Sequence, residues 1–393
     1  MSQKPRKSYR WWHKLLGVAL SLGLFCVVLE VSLRVVGVSV PTATVLGTFF
    51  QHDTQTGWSG RPNAKDRFQT SNFSVVVSHD EDGLRRCGLT TRIAADRDGA
   101  ERMCWVLGDS TTWGWGIEDD AHFVALLNQD APETVRFRNL GTPGFSTVQE
   151  YHRFVDLLSR GYKPDVVIVC FNNNDHRDSQ MAIDPDPPRP YARVVDGELV
   201  FHDPPVGRSF EFEVGSFLRR NSQAVSFVSY HAQRLRMARR MRARKEKDEL
   251  AVAAQSETKS LSEPERHSPV DPFQWDDSQR ILTETLQRLK TRCDAEGIEL
   301  AVATEFLVDP RVVSACETLG VRVLDTSKRY SRHLRSSDRD EILYFAQDPH
   351  INARGHRIFA DAMLEELHDW HPEWRLIAPS GILATRPGEK VVR

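Results

Sequence analysis

Short apolar runs alternate with amphipathic segments through most of the chain after residue 100. Apolar runs bounded by turn residues are typical of buried strands, and apolar residues spaced three and four apart are typical of helices. Because buried strands separated by helices form parallel sheets covered on both faces, the pattern predicts an α/β fold. The predicted strands are Arg102–Leu107, Val135–Leu140, Asp165–Phe171, Ile298–Thr304 and Val321–Leu324, and the predicted helices are Ala121–Asn128, Thr147–Leu158, Ser278–Glu296 and Ala353–Leu367.

A longer apolar segment, Leu15–Val38, lies near the N-terminus and contains Glu30 and Arg34 as its only charges. About 20 apolar residues suffice for a helix to cross a bilayer. Residues 1–14 carry five basic and no acidic side chains, which predicts a cytoplasmic N-terminus and an exported remainder. A cleaved signal peptide is the alternative, because Gly37–Ser39 resembles a cleavage site. We favour an uncleaved anchor at 15–38, since the usual apolar core of a signal peptide is only ~7–15 residues long.

A long insertion is predicted at residues 176–270, between the third strand and the Ser278 helix. A proline-rich stretch at 184–190 excludes regular structure there, and Tyr191–Phe201 predicts a hairpin turning at Asp196-Gly197. Arg234–Lys247 then holds eight basic residues and one acidic residue. This stretch is either a patch for anionic groups or, as we favour, a solvated helix. Residues 254–268 are polar and predict a mobile loop.

Composition adds mainly exclusions. The chain has 52 Lys and Arg against 54 Asp and Glu, and this balance argues against a nucleic-acid partner. Six cysteines without a Cys-x-x-Cys spacing make a structural metal site unexpected, and we expect no metal and no cofactor. A Cys293–Cys316 disulfide stays open if the domain is exported.

Polar, turn-forming clusters follow three of the predicted strands. They are Gly108–Ser110, Gly141–Gly144 and Asn172–Asp175. In a parallel α/β sheet, ligands bind beyond the carboxyl ends of the strands. These three clusters therefore predict a site at one edge of the sheet.

A serine hydrolase triad is the chemistry that these residue types favour. Ser110 needs a base to take its proton before it can attack, and His350 near the C-terminus is the candidate base. Asp348 would orient the imidazole and stabilise its charged form. An oxyanion hole needs aligned donors, and the candidates are the backbone N–H groups of Ser110 and Gly144 and the side-chain amide of Asn174.

The ordered motifs resemble the SGNH (GDSL) hydrolase family, and especially its bacterial membrane-anchored members. They are Gly108-Asp109-Ser110, Asn139-x-Gly141-x-x-Gly144, Asn174-Asp175 and Asp348-x-His350, and they lie within roughly residues 101–370. The resemblance implies a flavodoxin-like αβα sandwich with Ser110 as nucleophile, His350 as base, Asp348 as its orienting partner, and an oxyanion hole of Ser110, Gly144 and Asn174. Asp109 and Asp175 would support the turns that carry these groups.

The sequence departs from the family pattern in two of these blocks. Asn172 stands where the third block usually has glycine, and asparagine tolerates left-handed backbone angles better than most residues. Asp348 and His350 are separated by one residue rather than two. Asp325, at the end of the fifth predicted strand, is therefore a competing partner for the histidine.

The sequence thus predicts an exported, membrane-anchored serine esterase acting on small acyl esters or O-acylated glycans. The expected location is the bacterial inner membrane, with the catalytic domain on the periplasmic side. The expected divisions are a cytoplasmic tip at 1–14, the anchor at 15–38, an extension at 39–100, the hydrolase domain at 101–372 and a tail at 373–393. An O-acyltransferase using the same acyl-enzyme and a non-catalytic binding protein are the alternatives. The oligomeric state is not predicted.

Overall fold

The computed structural model describes residues 11–36, 48–70, 72–87, 102–181, 189–203, 214–215, 217–218, 221–229, 231–232, 275–306, 308–336, 343–346 and 348–376. The chain divides into two compact units. The first comprises Met1–Gly47, Gln69–Ser71 and Ser209–Arg266, and the second comprises Thr48–Phe68, Asn72–Arg208 and His267–Arg393. The predicted basic stretch Arg234–Lys247, the loop 254–268 and most of the proline-rich stretch lie outside the described residues.

The first unit contains helix α1 (Trp11–Val36), which is long and apolar enough to cross a membrane or to serve as a signal sequence. Its side chains are mostly exposed, and Leu33 is its one buried residue. A helix that is apolar on all sides is stable only where it is covered by protein or lipid. Further residues of this unit are helical at 214–215, 217–218, 223–229 and 231–232.

The second unit is built around a five-stranded parallel sheet, flanked among its described residues by three two-stranded antiparallel pairs. Its strands are β1 (Phe50–Asp53), β2 (Gly57–Gly60), β3 (Lys65–Gln69), β4 (Ser74–Ser78), β5 (Arg102–Gly108), β6 (Val135–Asn139), β7 (Val166–Phe171), β8 (Tyr191–Val195), β9 (Glu198–His202), β10 (Glu299–Thr304) and β11 (Arg322–Leu324). Its helices are α2 (Ser110–Trp113), α3 (Phe123–Asp130), α4 (Thr147–Ser159), α5 (Asp175–Asp178), α6 (Trp275–Glu296), α7 (Pro310–Leu319), α8 (Ser327–Ser336) and α9 (Ala353–Trp370), and a 3-10 turn follows at Pro372–Trp374.

The strand order of the parallel sheet is β6-β5-β7-β10-β11. Counted along the chain, this is the order 2-1-3-4-5 of the flavodoxin-like doubly wound fold. The predicted fold is therefore confirmed, and the predicted hairpin is present as β8 paired with β9. In this order the direction in which successive strands are added across the sheet reverses between β5 and β7. A crevice at that point is where ligands bind in such sheets.

Two apolar layers cover the sheet, as the period-two alternation of strand side chains requires. Cys104 and Val106 of β5 lie on one face with Phe123 of α3 and Phe359 of α9. The alternate β5 residues Met103, Trp105 and Leu107 lie on the opposite face with side chains of α4, α6 and α7. The three layers are thus helices, sheet and helices.

The described cysteines are all free thiols. Cys104 and Cys170 are buried in the sheet as small apolar residues. Cys293 and Cys316 are also buried and free, so the disulfide that the sequence allowed between them is not formed.

Candidate active site

The turn after β5 carries Ser110 and is held by close packing. A Cβ on Gly108 would lie 2.1 Å from Thr112 Oγ1, and one on Gly141 would lie 2.3 Å from the Trp113 backbone nitrogen. Only glycine fits at either position. Asp109 caps α2 by accepting a hydrogen bond from Thr111 N at 2.9 Å. Ser110 is therefore the first residue of a helix, where backbone N–H groups favour negative charge.

The structure joins Ser110 to the C-terminal histidine, 240 residues away in sequence. Ser110 Oγ lies 2.8 Å from His350 Nε2, and His350 Nδ1 hydrogen-bonds Asp348 Oδ1. Asp348 also accepts a bond from the His350 backbone nitrogen at 3.0 Å. With Asp348 on Nδ1, the imidazole carries its proton there, which leaves Nε2 to accept from the Ser110 hydroxyl. This is the hydrogen-bond pattern of a Ser-His-Asp triad.

A small loop presents both Asp348 and His350. Tyr344 and Ile351 form an isolated antiparallel bridge at its base, and Phe345 N donates to His350 O at 3.1 Å. Asn352 then caps α9 by accepting from the N–H groups of Arg354 and Gly355. These bonds hold both ends of the short loop. A single residue between Asp348 and His350 is therefore enough to place the Asp348 carboxylate beside the imidazole.

Trp115 supports the triad in a way that its sequence position did not reveal. Its Nε1–H donates to Asp348 Oδ2 at 3.1 Å, and its ring stacks on His350 at 5.0 Å between centroids. Burial alone would raise the pKa of Asp348, but the hydrogen bonds from His350 and Trp115 outweigh burial and lower that pKa. Asp348 is therefore held ionised beside the histidine.

Asp325, the competing partner in the sequence, has another role. It accepts bonds from the backbone and hydroxyl of Ser327 at the start of α8. It also pairs with Lys328 at 3.7 Å. His350 is bonded to Asp348 instead.

Asp109 links the turn that carries Ser110 to the turn after β7. The Asn172 amide donates to Asp109 at 2.8 Å and to Thr111 Oγ1 at 3.1 Å. Asn174 donates to Asp109 at 3.2 Å. Burial raises the pKa of Asp109, while these bonds and that from Thr111 act in the opposite direction. Asn172, the departure from the family glycine, thus acts as a brace between two turns.

The predicted oxyanion donors are only partly brought together. Ser110 and Asn174 both line the cleft, whereas Gly144 is not among its lining residues. The second N–H of Asn174 is within reach of Asp178 at 3.2 Å, and the Gly144 carbonyl accepts from Arg189 at 3.0 Å. Both amide hydrogens of Asn174 therefore have carboxylate partners in the structure.

Asp175 is fully buried beneath this turn, and its carboxylate accepts from Asn172 N at 2.8 Å. Glu150 on α4 is also buried. Burial, and then the neighbouring carboxylates, raise the pKa of both groups, which favours their protonated forms. Asp175 thus holds the turn after β7 through Asn172 N, and it does not reach Ser110 or His350 by any described bond.

A cleft of about 480 Å³ opens over Ser110. Its wall includes Glu305 at the end of β10, a residue that the sequence analysis missed because no motif marks it. Glu305 Oε2 lies 3.3 Å from Thr111 Oγ1. Burial, and then the charge of Asp109, raise the pKa of Glu305 to about 7. The lining residues are Asp109, Ser110, Thr111, Phe171, Asn172, Asn173, Asn174, Thr304, Glu305, Tyr344, Pro349 and His350, and none of them is cationic other than a protonated His350.

Three further buried basic side chains near the site have structural roles. Arg85 is fully buried, pairs with Asp119 at 3.2 Å and lies over the Trp113 ring. His122 and His356 are also buried, and burial lowers the pKa of His122 to about 3 and that of His356 well below its ordinary value. These residues pack the body beneath the site. Among the described residues, no group of three or more His, Cys, Asp or Glu side chains is arranged to hold a metal ion.

Comparison with known proteins finds similarity among solved structures. An α/β hydrolase from the metagenome of Lake Arreo in Spain is 15% identical with a TM-score of 0.36, over 68% of this chain and 95% of that one. A G-D-S-L lipolytic protein from Veillonella parvula is 11% identical with a TM-score of 0.34, over 67% and 96%. An acetylxylan esterase from Geobacillus stearothermophilus is 15% identical with a TM-score of 0.34, over 68% and 95%.

No protein-family model and no curated protein matches the sequence. The solved neighbours have identities below 25% and TM-scores below 0.5. The functional assignment that follows therefore depends on the geometry of the triad and its cleft.

Proposed function

We propose that this protein is a serine ester hydrolase of the SGNH type. The observation that carries the proposal is the hydrogen-bonded series from Ser110 Oγ through His350 to Asp348, at the mouth of an open cleft. The nucleophile, base and orienting acid are each within hydrogen-bond distance of the next. The same edge of the sheet carries the turns in which the four SGNH-like motifs lie.

The mechanism follows from these positions. His350 Nε2 takes the Ser110 proton as Ser110 Oγ attacks the ester carbonyl, and Asp348 stabilises the resulting imidazolium. The imidazolium then protonates the alkoxide oxygen as its bond to the acyl carbon breaks, so an alcohol leaves and an acyl-enzyme ester remains on Ser110. Water attacks this ester with His350 again acting as base, which releases the acid and restores Ser110.

The developing oxyanion is stabilised by the Ser110 N–H and one N–H of Asn174, with the Gly144 N–H as the third expected donor. Asn174 has to release a carboxylate to do this. Asp178 is the one released, because it is partly exposed and pairs with Arg189 at 3.5 Å, whereas Asp109 is 2% exposed. The bond from Asn174 to Asp109 then keeps the amide in place.

The finer assignment is an exported enzyme, anchored by α1, that acts on O-acyl or O-acetyl esters such as those of cell-surface polysaccharides. Support for the anchor comes from the apolar length of α1 and the basic residues before it. Support for a hydroxyl-rich substrate comes from the polar wall of the cleft. The exposed side chains of Asn173 and Tyr344 there offer donors and acceptors to hydroxyl groups.

The test uses the full chain in detergent with p-nitrophenyl acetate and a fluorophosphonate probe. We expect ester turnover, and we expect mass spectrometry to locate one phosphonyl group on Ser110. Ser110→Ala removes both signals. Ser159→Ala, a change at an exposed serine at the end of α4, leaves both unchanged.

Absence of turnover and of any adduct in the folded protein would overturn the proposal. Turnover that persists in Ser110→Ala would move the nucleophile elsewhere. Acyl transfer to an added sugar in preference to water would assign the acyl-enzyme to a transferase.

A further inference from the structure

Two charged residues near the end of α1 contact a segment from the insertion, within the first unit. Glu30 accepts hydrogen bonds from Ser222 Oγ at 2.8 Å, Gln223 N at 3.1 Å and Ala224 N at 2.9 Å. Arg34 pairs with Glu30 at 2.6 Å and donates to the Asn221 carbonyl at 3.1 Å. We call this set of bonds the Glu30 latch.

The Glu30 latch completes the start of a helix. Residues 223–229 are helical, and Ser222 Oγ accepts from Val225 N at 3.2 Å as an N-cap. The two preceding N–H groups, of Gln223 and Ala224, have no partner within their own helix, and Glu30 supplies it. A carboxylate at this end also complements the helix dipole. The Glu30 carboxylate therefore accepts the hydrogen bonds that the first turn of this helix cannot satisfy by itself.

The position of Glu30 along α1 fixes the depth of the latch. Trp12 and Glu30 are 18 residues apart, which corresponds to about 27 Å at the helical rise of ~1.5 Å per residue. This is close to the ~30 Å thickness of a hydrocarbon core. If the Trp11-Trp12 pair lies at one interface, Glu30 lies at the other. Residues 221–224, bonded to Glu30, then lie at the same membrane surface.

The segment around the latch also exposes apolar side chains. Phe217 is 57% exposed and Val228 is 58% exposed. Val214, Phe217 and Leu218 are each helical and each exposed. In sequence the segment leads into Arg234–Lys247, and a membrane contact here would favour the alternative given above for that stretch, a patch whose eight basic residues complement anionic groups such as lipid headgroups.

We infer that the described helical residues between 214 and 232 form a second membrane contact, lying on the outer surface of the bilayer and fixed there by the Glu30 latch. The inference depends on the anchoring role of α1 in the proposed function, and not on its esterase activity. The occupant of the exposed apolar face is lipid. The inference also requires α1 to be retained, because cleavage near Ser39 would remove Glu30 and leave the helix start at 223 without its partner.

The test places a fluorescent label on the segment in the full chain. Phe217→Cys in a Cys26→Ser background is labelled with a nitrobenzoxadiazole dye and reconstituted into phosphatidylethanolamine and phosphatidylglycerol vesicles that contain doxyl-labelled lipid. The other described cysteines are buried. We expect the lipid-borne quencher to reduce the fluorescence of the label at 217. The native Cys26, labelled in the parent chain, reports insertion of α1 itself.

The matched variant exchanges the two charges, Glu30→Arg with Arg34→Glu. It keeps an ion pair four residues apart on α1, but arginine cannot accept from Gln223 and Ala224. With the label at 217, we expect the ratio of docked to released segment to fall about fivefold, as for a lost helix cap. The same exchange in a chain that keeps Cys26 should leave a label at Cys26 quenched.

Each outcome decides between separate statements. Quenching at Cys26 without quenching at 217 would overturn the second membrane contact while leaving the anchor intact. Equal quenching at 217 before and after the exchange would overturn the latch. A mature chain that begins after Ser39, read by mass spectrometry, would overturn the anchor, whereas p-nitrophenyl acetate turnover reports the esterase independently.

Discussion

The described residues of the second unit include two Ser-His-Asp arrays, of which one faces a cleft and the other is buried. In the first, Ser110, His350 and Asp348 line or border the cleft. In the second, Ser278 Oγ lies 2.5 Å from His176 Nδ1, and His176 Nε2 lies 2.9 Å from Asp309 Oδ2. Ser278, His176 and Asp309 are 1%, 3% and 7% exposed, so no ester can reach this serine.

The two arrays also differ in what surrounds the acid. Asp348 is bonded by Trp115 and by the histidine that it orients. Asp309 caps α7, and Arg311 takes up both of its carboxylate oxygens at 3.1 and 3.0 Å. The sealed array therefore joins α5, α6 and α7, while the open array holds a base ready to accept a proton. Hydrogen-bond connectivity alone does not define a catalytic site, because substrate access and oxyanion donors are also needed.

The serine substitutions give the largest expected contrast. Ser110→Ala lowers kcat/KM for p-nitrophenyl acetate by about 10⁶-fold, since the nucleophile is lost. Ser278→Ala leaves kcat/KM nearly unchanged but lowers the free energy of unfolding by about 1–3 kcal/mol, because a buried histidine nitrogen loses its partner. Steady-state kinetics and urea denaturation of both variants check this. Loss of activity in a stable Ser278→Ala variant would reverse the assignment of the two arrays.

The acid substitutions are expected to separate the arrays next. Asp348→Asn lowers kcat by about 10²- to 10⁴-fold, because an amide N–H facing Nδ1 selects the tautomer that cannot accept the Ser110 proton. Asp309→Asn selects the wrong tautomer at His176 with no such loss, and instead lowers the free energy of unfolding by about 1–3 kcal/mol. The same kinetic and denaturation measurements apply. Equal kcat values for Asp348→Asn and the parent enzyme would return Asp325 to consideration.

Glu305 sharpens the comparison through charge, with the smallest expected effect. Because its pKa is raised to about 7, the native carboxyl is neutral below pH 7 and ionised above it. An ester with an anionic acyl group, such as a hemisuccinate, is therefore disfavoured relative to a neutral ester more strongly at pH 8 than at pH 6. Glu305→Gln removes this pH dependence and raises kcat/KM for the anionic ester at pH 8 by about 3- to 10-fold.

The ratio of kcat/KM for the two esters, measured from pH 5.5 to pH 8.5, gives the readout. The free energy of unfolding provides a second readout, in which Glu305→Gln is again favoured over the parent at high pH. A carboxyl whose pKa is higher in the folded than in the unfolded protein loses its stabilising contribution as pH rises through the folded value. Glu305→Gln is therefore more stable than the parent at pH 8. A ratio that is independent of pH in the parent enzyme would contradict the role given to Glu305.

Most of the central sheet was predictable from sequence, because apolar runs such as Asp165–Phe171 are long, β-branched and bounded by turns. The observed strand, Val166–Phe171, differs by one residue. Ser110 and His350 were predictable because each lies in a motif with a distinct order along the chain. The strands β1 to β4 were not predicted, since their short runs alternate weakly and gain their burial from the body they pack on.

The parts of the site that sequence missed depend on contacts between distant residues. Trp115 reaches Asp348 across 233 positions, and Glu305 reaches Thr111 across 194. Neither residue has a local pattern that distinguishes packing from function. The choice between Asp348 and Asp325 was open for the same reason, because both follow plausible turns and only the closed loop around His350 separates them.

The packing of Trp113 has a practical consequence for dividing the chain into fragments. Trp113 lies in α2, three residues after Ser110, and its indole donates to His79 Nε2 at 3.0 Å. Phe49 and Phe50 contact the same ring. A fragment that begins at residue 101, the boundary expected from the sequence, would leave this tryptophan open to water close to Ser110. A fragment that keeps the second unit intact should begin at Thr48, because Phe49 and Phe50 form part of the surface against which α2 packs.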